Sequence, residues 1–167
     1  MKKKTNTLYI HGLNSKPKKD KMELIEKHSI THALHLDYLK QPTSFNILSD
    51  LIINKGINYI IGSSFGGMLG YWLAEKHKIP ALLFNPALYS DQSIIHFEIM
   101  HNKSPYKLII LGKKDKIVSP IYTRNFLKEN LLEKNYEIIE CAKLAHQIDL
   151  NTFRQQTEYF YKKINFL

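Results

Sequence analysis

Residues 57–70 run Ile-Asn-Tyr-Ile-Ile-Gly-Ser-Ser-Phe-Gly-Gly-Met-Leu-Gly. The apolar run 57–61 predicts a buried strand, closed by Gly62. Phe65 to His77 carries Met68, Leu69, Trp72 and Leu73 and predicts a helix. Between strand and helix sits a G-x-S-x-G pentapeptide: Gly62, Ser64 and Gly66. A strand-to-helix turn this sharp leaves no room for side chains at Gly62 and Gly66, which would collide with neighbouring strands. Ser64 is then forced onto the tip, with its hydroxyl exposed above the sheet and a helix N-terminus beneath it. Gly67 and Gly70 let that helix approach the sheet closely.

The rest of the chain repeats this alternation. Short apolar runs at 7–10, 33–36, 81–84 and 108–111 join 57–61, each closed by a Gly, Asp or Asn-Pro, and fit strands buried on both faces. A sixth run, 136–140, alternates more and belongs nearer an edge. Helical patterns lie between at 18–28, 43–54, 65–77, 120–132 and 149–164. Thr43 is placed to cap the second and Gly56 to close it. Pro120 sits in the first turn of the fourth. Strands alternating with helices predict a mainly parallel α/β sheet with helices on both faces. No repeat or linker divides the chain, so residues 1–167 read as one domain, with a short cap-like insertion at about 87–106.

Ligands of such sheets bind beyond the carboxyl ends of the strands. Those loops carry the chemistry. A serine hydroxyl needs a base oriented by a carboxylate. Asp115 follows the fifth strand and His146 follows the sixth, so Ser64, Asp115 and His146 occupy three loops on one rim, in one of the orders that serine triads take. Asp91 is the alternative acid, and Asp149 is better suited to cap the last helix. The oxyanion donors expected are the backbone N–H of Phe65 and that of Leu13, where Gly12 lets the first loop come close. His11 reads as a histidine that fixes this loop by hydrogen bonds.

Composition narrows the partners. The 24 Lys+Arg against 15 Asp+Glu give a net charge of +9, yet only Arg124 and Arg154 are arginines. Arginine is the better bidentate reader of phosphate and guanine, and no nucleic-acid motif appears, so a nucleic-acid partner is not expected. The lone Cys141 forms no internal disulfide, and His28, His32 and His35 share no ligand face, so no metal and no cofactor is expected. No apolar run approaches the ~20 residues of a membrane span, and the stretch after the N-terminal lysines is too short for a signal core. A soluble cytoplasmic protein without a membrane partner is the expectation.

Taken together, HGLNS at 11–15, GSSFGG at 62–67, NPA at 85–87 and the late Asp115 and His146 resemble the α/β-hydrolase superfamily, and within it the small bacterial esterases of the YqiA type, the UPF0227 group. The resemblance runs from Leu8 to about Phe160. It implies a compact hydrolase lacking the first two strands of the larger fold, with little lid, and Ser64, Asp115 and His146 as triad. The loop Leu144-Ala145-His146-Gln147 departs from it in lacking the glycines common before that histidine.

The expected function is a serine hydrolase cleaving carboxylic esters with short or accessible acyl groups through an acyl-enzyme. A thioesterase or other acyl hydrolase would use the same triad, and a basic non-catalytic binding protein is the alternative outside enzymes. Lys16, Lys18, Lys19, Lys113, Lys114 and Lys116 flank the expected rim and would favour a small anionic ester, although lysines simply solvating the surface explain them as well.

Overall fold

The computed structural model describes residues 4–89, 103–130 and 135–166. Asp91, His96, His101 and most of the expected cap-like insertion lie outside the described residues. Six strands are described: β1 (Asn6–Ile10), β2 (Ile30–Ala33), β3 (Tyr59–Ser63), β4 (Ala81–Phe84), β5 (Lys107–Gly112) and β6 (Tyr136–Cys141). Five helices accompany them: α1 (Lys19–Glu26), α2 (Ser44–Lys55), α3 (Phe65–His77), α4 (Pro120–Asn130) and α5 (Leu150–Ile164). Every strand pairing is parallel, in the order β2-β1-β3-β4-β5-β6.

Successive residues of the inner strands point to opposite faces, and both faces are apolar. Leu8, Ile10, Ile60, Leu83, Ile109 and Leu111 pack with α2, α3 and α4, including Phe45, Leu48, Leu69 and Phe126. Tyr9, Ile61, Leu82, Phe84, Leu108 and Ile110 pack with Ile25 of α1 and Phe153, Phe160 and Tyr161 of α5. The helices therefore cover both faces, as the alternation of elements predicts. β6 is an edge strand and half-buried along its length.

Three local expectations are corrected. The second strand is Ile30–Ala33, not 33–36. It lies on the other edge, exposed or half-buried throughout, so no continuous apolar run marks it. Leu36 is apolar because the loop after the strand buries it: its N–H donates to His11 Nε2 at 3.1 Å. The third strand begins at Tyr59 rather than Ile57. Ile57 instead closes α2: Gly56 takes the left-handed conformation (φ 57°) and the Ile57 N–H donates to Ile52 O. Thr43 stands at the N-terminus of α2 without a side-chain capping bond. Asp149 does cap α5, accepting from Thr152 N at 2.9 Å.

One lysine is buried without an ion pair among the described residues, although Asp20 and Asp149 stand near it. Lys21 on α1 is 7% exposed, with its ammonium 5.0 Å from the Phe153 ring. Burial, aided by nearby Lys18, lowers its pKa to about 8. Between about 8 and the ordinary 10.5 the unfolded chain binds more protons than the folded one, so stability rises with pH across that window. Lys21→Met should raise the Tm near neutrality and flatten its rise between pH 8 and 10, as read by thermal melts across the pH range.

Candidate active site

The chain leaves β1 towards β2 and returns to lay β3 on the opposite side of β1. The loops after β1 and β3 thus diverge and open a crevice at their carboxyl ends, the place where α/β sheets bind ligands. Ser64 stands on one side and His11-Gly12-Leu13 on the other. They are close: a Cβ on Gly12 would lie 3.5 Å from Ser64 Cβ.

Ser64 has φ 55° and ψ −122°, a strained conformation for a residue with a side chain. Two glycines hold it there. A Cβ on Gly66 would run into the carbonyl oxygens of Ile10 and His11, so the first turn of α3 rests directly on the end of β1. A Cβ on Gly62 would strike the backbone of Gly66 and Gly67. The collision at Gly62 is therefore with the following helix, not with a neighbouring strand as the sequence suggested. Neither the Phe65 nor the Leu13 N–H donates a hydrogen bond among the described residues, so both remain available to a ligand.

The other side of the rim brings Asp115 and His146 together. His146 Nδ1 lies 2.8 Å from Asp115 Oδ2. Asp115 is buried, and its Oδ1 accepts from the N–H groups of Ile117 and Val118, both at 2.8 Å. Those donors fix the carboxylate in place. A carboxylate facing Nδ1 makes that nitrogen the donor and leaves the Nε2 lone pair for another proton. Ser64 and His146 do not hydrogen-bond each other in this structure. Asn85, at the end of β4 between the two halves, carries no role in the sequence analysis, yet its side chain bonds both the acid loop and the histidine loop. Its only sequence signal is the NPA triplet.

Two clefts flank the turn. One of about 520 Å³ is polar and lined by Leu13, Asn14, Ser15, Lys16, His35 and Asp37, among others. The other, about 180 Å³, lies between Ala87-Leu88-Tyr89 and Val118-Tyr122 and mixes apolar side chains with Ser119 and Thr123. Among the described residues no group of three or more His, Cys, Asp or Glu could hold a metal ion. No described helix is long and apolar enough to cross a membrane.

A model of the uncharacterised protein family UPF0227 matches residues 6–107. The fold is that of the α/β hydrolases. An α/β-hydrolase enzyme from the metagenome of lagoon sediments at Mar Chica, Morocco, superposes with a TM-score of 0.72 at 16% identity, over 98% of this chain and 93% of that one. The Bacillus cereus carboxylesterase gives 0.66 at 16% identity, over 96% and 88%. Est1E from Butyrivibrio proteoclasticus gives 0.67 at 15% identity, over 99% and 90%.

His11 supports the crevice from below. It is 1% exposed, its Nδ1 lies 2.8 Å from Gly12 O and its Nε2 accepts from Leu36 N. These contacts define a neutral ring with the proton on Nδ1. The backbone carbonyl of His11 accepts from Tyr38 Oη at 2.9 Å, and the Tyr38 ring packs against Phe65. The ring thus fixes the first loop, as its sequence position suggested. Burial lowers its pKa below the ordinary 6.5, as it does for His28, His32 and His77. As pH falls the unfolded chain takes up these protons first, so stability present above about pH 6.5 is lost as pH drops through the lowered values. His11→Phe should cost about 1–3 kcal/mol by leaving the Leu36 N–H unsatisfied. It should also make the acid-side decline shallower, as measured by denaturant unfolding from pH 7.5 to 5.

Proposed function

The chain belongs to the UPF0227 family, and we propose that it is a serine hydrolase that cleaves carboxylic esters with short or accessible acyl groups. The observation that carries this reading is the Asp115–His146 hydrogen bond on the same rim as the strained Ser64 turn. Low-identity neighbours of the same fold, one named as a carboxylesterase and one as an α/β-hydrolase enzyme, agree with it.

In this mechanism His146 Nε2 takes the proton from Ser64 Oγ as the oxygen attacks the ester carbonyl. Asp115 keeps the imidazole in the tautomer that can accept it and stabilises the imidazolium that forms. The developing oxyanion lies between the N–H groups of Phe65 and Leu13, the first of them at the N-terminus of α3. His146 then gives its proton to the leaving alcohol. Water, deprotonated by the same ring, attacks the acyl-enzyme and releases Ser64. The Ser64–His146 contact forms in the substrate complex, since such bonds are commonly long in unliganded sites.

The small cleft beside Ala87 suits a short acyl chain. Ala87 on its wall adjoins the turn, its N–H donating to Ser64 O at 3.0 Å. Of the six rim lysines, Lys19 and Lys113 have carboxylate partners, Glu23 and Glu140. Lys16, Lys18, Lys114 and Lys116 form no ion pair among the described residues, so their field is not neutralised locally. An anionic ester is the substrate class this rim would draw in.

Ser64→Ala should abolish fluorophosphonate labelling and lower kcat/KM on p-nitrophenyl esters by on the order of 10⁴-fold or more. Labelling as strong as in the wild type would overturn the assignment. An acyl-CoA series run alongside separates ester from thioester preference. With an ester pair differing only in charge, kcat/KM for the anionic member should fall more steeply with added salt. Equal salt dependence would remove the steering role of the lysines.

A further inference from the structure

We propose that Asn85 is a positioning residue that sets where His146 stands relative to Ser64, a role that rests on the hydrolase reading above. Asn85 is 2% exposed and lies between the β3 turn and the β5 and β6 loops. Its carboxamide is fully used. Oδ1 accepts from Gly112 N at 2.7 Å, at the root of the acid loop. Nδ2 donates to Ala145 O at 2.9 Å and to His146 O at 3.3 Å.

The backbone of Asn85 reaches the nucleophile by the shortest route available. The Ser64 N–H donates to the carbonyl of Phe84, the residue before it, at 2.9 Å. Its own N–H donates to Ile110 O at 2.8 Å, which pins it to β5. One peptide step therefore separates the bond that fixes Ser64 from the side chain that fixes His146. Among the described residues, no other group hydrogen-bonds the backbone of Ala145 or His146. The imidazole is held at its ring by Asp115 and at its main chain by Asn85. Rotation about the Asp115 contact alone would swing Nε2 past Ser64, and the second anchor removes that freedom.

The residue type follows from these demands. Asn85 has φ 42°, in the left-handed region that asparagine tolerates better than most residues. Only an uncharged amide of this length both accepts from one backbone N–H and donates to two carbonyls. Aspartate would keep the Gly112 bond but set an oxygen against the Ala145 and His146 carbonyls.

The test pairs Asn85→Asp, which keeps size and acceptor, with Asn85→Gly, which keeps the positive φ and removes every side-chain bond. Both are first checked for cooperative thermal unfolding. In the folded variants kcat should fall about 10- to 100-fold, because a misplacement of about 1 Å costs that much, while the change in KM stays under about twofold. The fluorophosphonate labelling rate should fall in parallel. The low-field proton of the His146 Nδ1–H···Asp115 bond, identified by its absence from His146→Gln, should be lost or broadened in proton NMR. Folded variants with wild-type kcat, or with a loss confined to KM, would overturn the role of Asn85. Should the wild type itself prove inert and unlabelled, the hydrolase reading fails separately, and the low-field proton still decides the placement. Its loss upholds the tether to His146; its persistence overturns it.

Discussion

Gly66 leaves no space between α3 and β1: the carbonyl oxygens of Ile10 and His11 occupy the volume its side chain would need. This backbone-on-backbone contact puts the first turn of α3 closer to the sheet than any side chain would allow. The chain leaving β3 must then turn within one residue, and Ser64 absorbs the turn with a positive φ. The contact also brings the first loop against the turn, so Gly12 and Leu13 stand beside Ser64 rather than above open sheet. The strain at Ser64 is small compared with the apolar surface that α3 buries against Ile60, Leu83 and Ile10, which is why the turn holds.

The other half of the rim is built by the same device. A Cβ on Gly112 would meet the carbonyls of Leu144 and Ala145. The acid and histidine loops therefore lie backbone to backbone, tied by Lys113 N to Cys141 O and Lys114 N to Leu144 O. Asp115 needs no mobile partner to face His146, because both loops are fixed at their roots. Two rigid halves result, one carrying Ser64 with the N–H groups of Phe65 and Leu13, the other carrying Asp115 and His146. Asn85 joins them, since β4 is the strand between. In the proposed mechanism the Ser64–His146 distance crosses this joint, so it depends on the Asn85 carboxamide.

The features legible in the sequence are those that a short local pattern determines. Ser64 is marked by glycines within two residues of it, Asp149 by its place before an amphipathic run, and Gly56 by closing one. Asp115 and His146 are legible because strands end predictably and parallel strands share one rim. What the sequence hid depends on partners far along the chain. Leu36 looks like a strand residue until its N–H is found on His11, and Ile57 until its own is found on Ile52. The work of Asn85 is spread over residues 27 and about 60 positions away. No window of sequence contains that pattern.

The basic charge of the chain takes on structure in the same way. At the amino ends of the strands three lysines are matched: Lys107, 1% exposed, and Lys78 share Glu75, and Lys163 pairs with Glu137. Burying Lys107 without Glu75 would cost several kcal/mol, roughly 3–5 by analogy with broken buried pairs, so those carboxylates are committed to stability. At the carboxyl ends Glu140 serves both Lys113 and Arg124. Asp115, the remaining acid of that loop, is turned inward to His146. Lys16, Lys18, Lys114 and Lys116 form no ion pair among the described residues. Lys16 lines the cleft beside Leu13, and under the proposed function its charge is the part of the +9 that would draw in an anionic ester.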